Sequence, residues 1–300
     1  MIKMQYFTIP KKTFLELLKT FYVTIKDSLM RTDYYVKKFI LHANKDGLFA
    51  RTVTDQNVFA FASVKAPDVV KIHNSGDIPI GNIDLIIDHV RLLGDTITVG
   101  MKENALIIAD SNNWYSIPTF SLDFIANEEP FLYTSTEYHP FDEVPSLSAG
   151  EEGSDEYRKK EFTRKMKLKK GDTKKIASIV NTVCKEYYMI TLEKDSENKK
   201  LIIKVGEFTN ENAHGVHKFD IECDGGDFSE RYITGISVIC SALTEPELIA
   251  EQVTIDGDNC FTMFGRQKIN GVYKAYYITP LEMEEEEEED GKQSKDTNDS

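Results

Sequence analysis

The same succession of elements can be read twice along this 300-residue chain, and that duplication limits its fold more than any other feature. The first copy opens with a short strand, MQYFTI, and a helix over 11–26. The second opens with FTRKMKL and a helix over 172–186. Hairpin-like strands follow in each, with turns at Lys45-Asp46-Gly47 and Ser196-Glu197-Asn198. A second helix comes next, over 82–93 and over 228–242. Its start is signalled by Asn82 with Asp84 in one copy, and by Asp227 with Ser229 and Glu230 in the other. Each copy then closes on strand, polar turn, strand: DTITVGMKENALIIAD and EQVTIDGDNCFTMFGR. Pro10 suits a first helical turn, where its missing N–H costs nothing. Sheets of this kind must bury an apolar face under helices. The expectation is therefore α+β: two similar domains, each with helices packed on antiparallel sheets.

The copies fill residues 1–125 and 162–281, and what lies around them is acidic. Segment 126–161 holds Pro130, Pro140 and Pro145, then SAGEEGSDE, with no sustained apolar period, and reads as an exposed connector. It carries ten acids against three bases; segment 281–300 carries ten against two. The formal charge of −14 therefore sits in these flanks, and the rest of the chain is near +1. Residues 282–300, with Glu284 to Glu289 in one run, read as a solvated tail. An acidic total thus raises no objection to an anionic partner. No apolar run approaches the roughly 18 residues of a membrane span. The N-terminus lacks the features of a signal peptide, which points to a cytosolic or nuclear setting. Cys184, Cys223, Cys240 and Cys260 lie far apart in apolar or strand-like stretches and read as reduced, buried thiols.

The first helix of each copy carries a basic face. In the first, Phe14, Leu15, Leu18, Phe21, Tyr22 and Ile25 share one apolar arc. Lys12, Lys19 and Lys26, spaced by seven, form a stripe beside that arc, with Lys11 near its start. In the second copy Ile176, Ile179, Val180, Val183 and Cys184 form the arc. Lys174, Lys175 and Lys185 lie opposite, among Ser178, Asn181 and Thr182 and without a carboxylate. Either face alone is an ordinary solvated surface; its recurrence in two corresponding helices points to phosphate. Lysines on a fixed face bind phosphate through counterion release, whatever the base sequence. No recognition-helix motif, zinc finger or aromatic RNA-binding signature accompanies them.

Signs of chemistry are few. There is no G-x-S-x-G, G-x-x-x-x-G-K or G-x-G-x-x-G. His214 and His217 with Cys223 are the best metal-like group, but no second ligand pair joins them, and no cofactor is expected. Asp84 with Asp88 reads as surface charge, and Trp114 as a packing anchor.

The stretch Asp227–Asp290, DFSERYITGISVICSALTEPELI…VYKAYYITPLEMEEEEEED, resembles the last helix and strands of the proliferating-cell-nuclear-antigen type of DNA sliding clamp. GLFARTVTDQNVFAFAS looks like that family's second hairpin, and ALIIADSNNWYSIP like the equivalent strand of tailed-phage polymerase clamps. The resemblance implies a non-enzymatic homotrimeric ring around double-stranded DNA, opened by a clamp loader ATPase and docking DNA polymerase and other replication proteins. It would place Lys11, Lys12, Lys19, Lys26, Lys174, Lys175, Lys185 and Arg231 at the central hole, Arg231 on the last helix. It would put a client-peptide pocket at Val53, Val58, Ala60, Val144, Leu147, Pro246, Tyr277, Thr279 and Pro280. It would pair Tyr115–Phe124 of one copy with Gly215–Cys223 of the next. Two other readings stand beside it: a monomeric clamp-like factor or subunit of a hetero-oligomeric ring, and a carboxylate-dependent hydrolase. Against the hydrolase, no paired-carboxylate motif is anchored at a strand end.

Overall fold

Alternating apolar residues in the strands and 3.6-residue periods in the helices fix a layered arrangement. A computed structural model describes residues 5–26, 31–35, 38–53, 58–120, 160–183, 189–195, 197–198, 200–205, 215–223, 229–233, 235–255 and 258–278. The first half runs β1 (Gln5–Pro10), α1 (Lys11–Thr20), β2 (Tyr22–Lys26), β3 (Arg31–Tyr35), β4 (Lys38–Asn44), β5 (Gly47–Val53), β6 (Val58–Lys65) and β7 (Lys71–Asn74). It continues with β8 (Gly76–Gly81), α2 (Ile83–Leu92), β9 (Thr96–Lys102), β10 (Ala105–Ala109) and β11 (Trp114–Pro118). The second runs β12 (Lys160–Lys167), α3 (Lys170–Val183), β13 (Met189–Asp195), β14 (Lys200–Val205), β15 (Gly215–Glu222) and β16 (Ser229–Ile233). It ends with α4 (Gly235–Ala242), β17 (Glu247–Ile255), β18 (Asp258–Ile269) and β19 (Val272–Ile278). β12 begins two residues inside the segment expected as connector.

The duplication is visible in the strand order. β11-β10-β9-β1 in the first half matches β19-β18-β17-β12 in the second, and β8-β4-β5-β6 matches β16-β13-β14-β15. The halves are not separate sheets. β19 pairs antiparallel with β6 from Tyr273↔Ser63 to Ile278↔Val58, fusing two four-stranded sets into one eight-stranded sheet. Even the turns correspond: Asn44 Oδ1 accepts the N–H of Asp46 and Gly47, and Asp195 Oδ1 accepts those of Glu197 and Asn198.

Two expected helices are shorter than their periodicity suggests. α1 stops at Thr20, where Phe21 N–H bonds back to Leu18 O, and Tyr22–Lys26 pairs with β3 instead. The run YVTIK is aromatic and β-branched, and a partner strand decides in favour of extension. The helix expected over 228–242 is divided likewise. Ser229–Ile233 pairs with β13, and among the described residues of that span only Gly235–Ala242 is helical. α3 is described over Lys170–Val183, two residues earlier than expected, while the expected 184–186 lie outside the described residues; α2 matches its expected span closely.

The core collects Phe7, Phe14, Leu17, Leu18 and Phe21 of the first half with Ile176, Ile236, Ile239 and Tyr276 of the second. Phe7 and Phe14 rings stand 6.1 Å apart, Phe21 and Phe39 rings 4.2 Å. α1 touches α2 on one side and packs over both β6 and β19, while α4 packs on α3 and against β2 and β19. The four helices of the described residues thus belong to one layer. Truncating Phe14→Ala is expected to cost about 3–5 kcal/mol in urea unfolding, whereas Lys12→Ala should stay within about 0.5 kcal/mol.

Candidate nucleic-acid interface

α1 and α3 place their lysines equivalently. Lys12 and Lys174 each precede by two residues the first fully buried apolar residue of their helix, Phe14 and Ile176. Lys12, Lys19, Lys174 and Lys175 are all exposed. Not all are alike. Lys175 Nζ lies 5.0 Å from the centroid of the Phe219 ring, on the edge strand β15. Lys11 is half-buried, and its ammonium donates to Leu93 O at the C-terminal end of α2, where a cation is favoured. Lys169 and Lys170, at the start of α3, are exposed cations that helical periodicity alone did not bring out.

Two expected contributors sit elsewhere. Lys26 is on strand β2, so the seven-residue stripe ends with α1 at Lys19. Arg231 is on β16 opposite Thr191, not on a helix. Lys185 lies outside the described residues.

The client-pocket candidates divide similarly. Register puts Val53 opposite Phe59, and Phe59 opposite Tyr277, in one cross-strand row that joins residues from both halves. Val58 stands opposite Ile278. Ala60 is enclosed in the core beside Tyr276, whose hydroxyl donates to Thr20 O at 2.8 Å. Pro246 is buried at the head of β17. Val144, Leu147, Thr279 and Pro280 lie outside the described residues. His217 and Cys223 stand six positions apart along β15 and just beyond it, about 20 Å at strand rise, and His214 is not described. Among the described residues no three His, Cys, Asp or Glu gather as a metal site.

The two edges proposed for pairing are open. β11 is the last strand of its sheet and β15 the last of its own. The large apolar side chains most exposed among the described residues are Leu85, Leu92, Trp114, Phe120 and Val216. Trp114 and Val216 lie on these edge strands, Leu85 and Leu92 are on α2, and the Phe120 ring lies against Gly81 at the end of β8. Trp114, read from sequence as a packing anchor, is instead 66% exposed on β11, and Phe120 follows the same strand. Leu85, His89 and Leu92 form one stripe of α2, and the His89 ring meets Tyr115 of β11 edge-on at 4.7 Å. Val216 is on β15. Exposed apolar surface on an unpaired strand is a site for association.

Comparison with solved structures gives the family of folds. The chain superposes on the beta subunit of DNA polymerase III from Thermotoga maritima with a TM-score of 0.62 at 11% identity, covering 93% of this chain and 66% of that one. PCNA from Thermococcus kodakaraensis gives 0.55 at 15% identity, covering 92% and 100%. The DNA polymerase sliding clamp of Bacillus subtilis gives 0.58 at 11%, covering 94% and 66%. The chain therefore spans about two thirds of the bacterial chains and the whole length of the Thermococcus one. No protein-family model and no curated protein matches the sequence. The fold is that of the DNA sliding clamps.

The loop leading into β11 is set by Asp110. Its carboxylate accepts the backbone N–H groups of Asn112, Gly94 and Asn113, which together hold its pKa down at about 2. A carboxyl depressed from 3.8 stabilises the fold above that value and ceases to do so as the pH falls towards 2. The melting temperature of Asp110→Asn should therefore lie below wild type at pH 6, and the gap should close between about pH 4 and pH 2. A gap independent of pH would show that the charge has no part in it.

Proposed function

We propose that this chain is a subunit of a DNA polymerase processivity clamp. Copies join head to tail through β11 and β15, close as a homotrimer, and enclose duplex DNA. The supporting observation is the seam inside the chain. There, the end strand of one type of sheet, β19, pairs with the end strand of the other type, β6. Among the terminal strands, β11 and β15 are the same two types in the duplicated order. A second copy can repeat outside the chain the pairing already made within it. Such an interface is heterologous and must close on itself or grow without limit. Pairing also covers Trp114, Leu85, Leu92 and Val216, which a solitary copy leaves in water.

A ring holds DNA by topology, so the protein–DNA contacts can stay weak and indifferent to sequence. Lys12, Lys19 and Lys174 would supply that contact, with Lys175 and the neighbouring Lys169 and Lys170 adding positive potential. Polymerase and other clients would dock on the opposite side of the sheets, near the row through Val53 and Tyr277. Tethering there raises the polymerase's effective concentration at the primer end, and the clamp itself performs no chemistry. A separate ATPase would open the ring for loading.

The native mass should be about three times the 34.2 kDa chain. On dilution below the assembly range, emission from Trp114, the sole tryptophan, should shift to the red as the β11 edge is uncovered. Loaded protein should stay on circular DNA and be lost from linear DNA with free ends. A monomeric mass would favour a solitary clamp-like factor, and equal retention on both DNAs would exclude encirclement.

Charge reversal at Lys12, Lys19 and Lys174 together should weaken DNA binding while leaving the native mass unchanged. For every phosphate no longer neutralised, the slope of log affinity against log salt should fall in magnitude by about 0.9. Unchanged binding in that triple variant would remove these helix faces from the DNA site.

A further inference from the structure

α1 carries one carboxylate, Glu16, on a helix whose exposed face is otherwise basic. At about 100° per residue Glu16 lies within roughly 60° of both Lys12 and Lys19. Left in solvent it would cancel one of them. It is instead withdrawn: Lys274 Nζ from β19 pairs with Glu16 Oε1, and Asn270 Nδ2 donates to Glu16 Oε2 at 3.3 Å. Lys274 is only 1% exposed, and burial holds its pKa below the ordinary lysine value against the opposing effect of Glu16. Two further bonds join the same elements. Thr13 Oγ1 donates to Asn270 O at 2.9 Å, and Tyr276 OH to Thr20 O at 2.8 Å.

These contacts depend on a hairpin arm that the first half lacks. Beyond the row Glu247–Arg266–Ala275, β18 and β19 continue through Gln267↔Lys274, Lys268↔Tyr273 and Ile269↔Val272 to a turn at Asn270-Gly271. The matching hairpin of β10 and β11 ends at Ala109↔Trp114, and its loop is already level with Gly94, bonded to Asp110. The duplicated plan therefore carries an extra arm at the seam inside the chain, with nothing equivalent on the β11 edge.

We propose that Lys274 and Asn270 are positioning residues: they lock α1 onto the seam and remove the Glu16 charge from the basic helix face. The face then reaches its full positive potential only when the two halves are docked. The electrostatic role rests on α1 facing DNA, as proposed for the clamp, but the structural lock does not. A breach at this lock leaves a buried carboxylate without its cation, whereas replacing both partners removes the charge altogether.

The test compares the full-length wild type, Lys274→Met and Glu16→Gln/Lys274→Met, using thermal unfolding and binding to a short duplex at several salt concentrations. Lys274→Met should lower the melting temperature and reduce the salt slope by about one, as if one phosphate fewer were neutralised. The double variant should recover most of both. A wild-type slope in Lys274→Met, or a double variant no better than the single one, would overturn the proposal. Should Lys274→Met not fold, Lys274→Gln takes its place with the same expected slope. If the wild type shows no salt-dependent DNA binding, the clamp reading fails. Recovery of melting temperature in the double variant then still reports on the lock.

Discussion

The antiparallel pairing of β6 with β19 is the constraint from which the other features follow. Its residues lie more than 200 positions apart in sequence, yet its backbone bonds fuse two repeats into one eight-stranded sheet. Without it each repeat would end on an open strand at both sides. With it, alongside the sheet ends β7, β8, β12 and β16, the counterparts of β19 and β6 in the duplicated order, β11 and β15, remain terminal strands. The seam also explains why apolar side chains remain exposed at those two places. At the seam each edge is covered by the other half, as with Ala60 beside Tyr276, but β11 and β15 are paired on one side only, with β10 and β14.

Helix placement depends on the same seam. α1 packs over β6 and β19 together, so its buried face reads residues of both halves, while Lys12 and Lys19 stay exposed. Charge is arranged around this layer by position. Lys11 supports the end of α2, Lys175 lies over Phe219, and Glu16 is turned to Lys274, leaving Lys12, Lys19 and Lys174 in solvent. Exposed ion pairs elsewhere, such as Arg91 with Asp88 at 3.0 Å, add little to stability. The burial of Lys274 is different, because a charge removed from water must have its partner.

Much of this is legible in the residues. Repeated strand, helix, hairpin, helix, hairpin grammar reveals the duplication, and alternation marks the strands of both closing hairpins. The apolar arc of α1 finds Phe14 and Leu18, and the basic arc finds Lys12 and Lys19. Where local pattern misleads, the cause is distant. Helical periodicity over 11–26 carries Lys26 onto α1, but β3 claims Tyr22–Lys26 as a strand. The same happens to Arg231, which β13 draws into a sheet. Trp114 resembles core because tryptophan usually packs inside; its exposure follows from standing on an edge strand.

By itself the sequence determined the two-fold repeat, the α+β class and the two helix faces that carry lysines, because periodicity and composition are properties of neighbours along the chain. Only the tertiary structure decided which strands remain unpaired, which lysines stay in solvent and where Glu16 finds its cation. Those outcomes depend on the contact of Glu16 with Lys274 and on the backbone pairing of β6 with β19, made between residues that no local pattern connects.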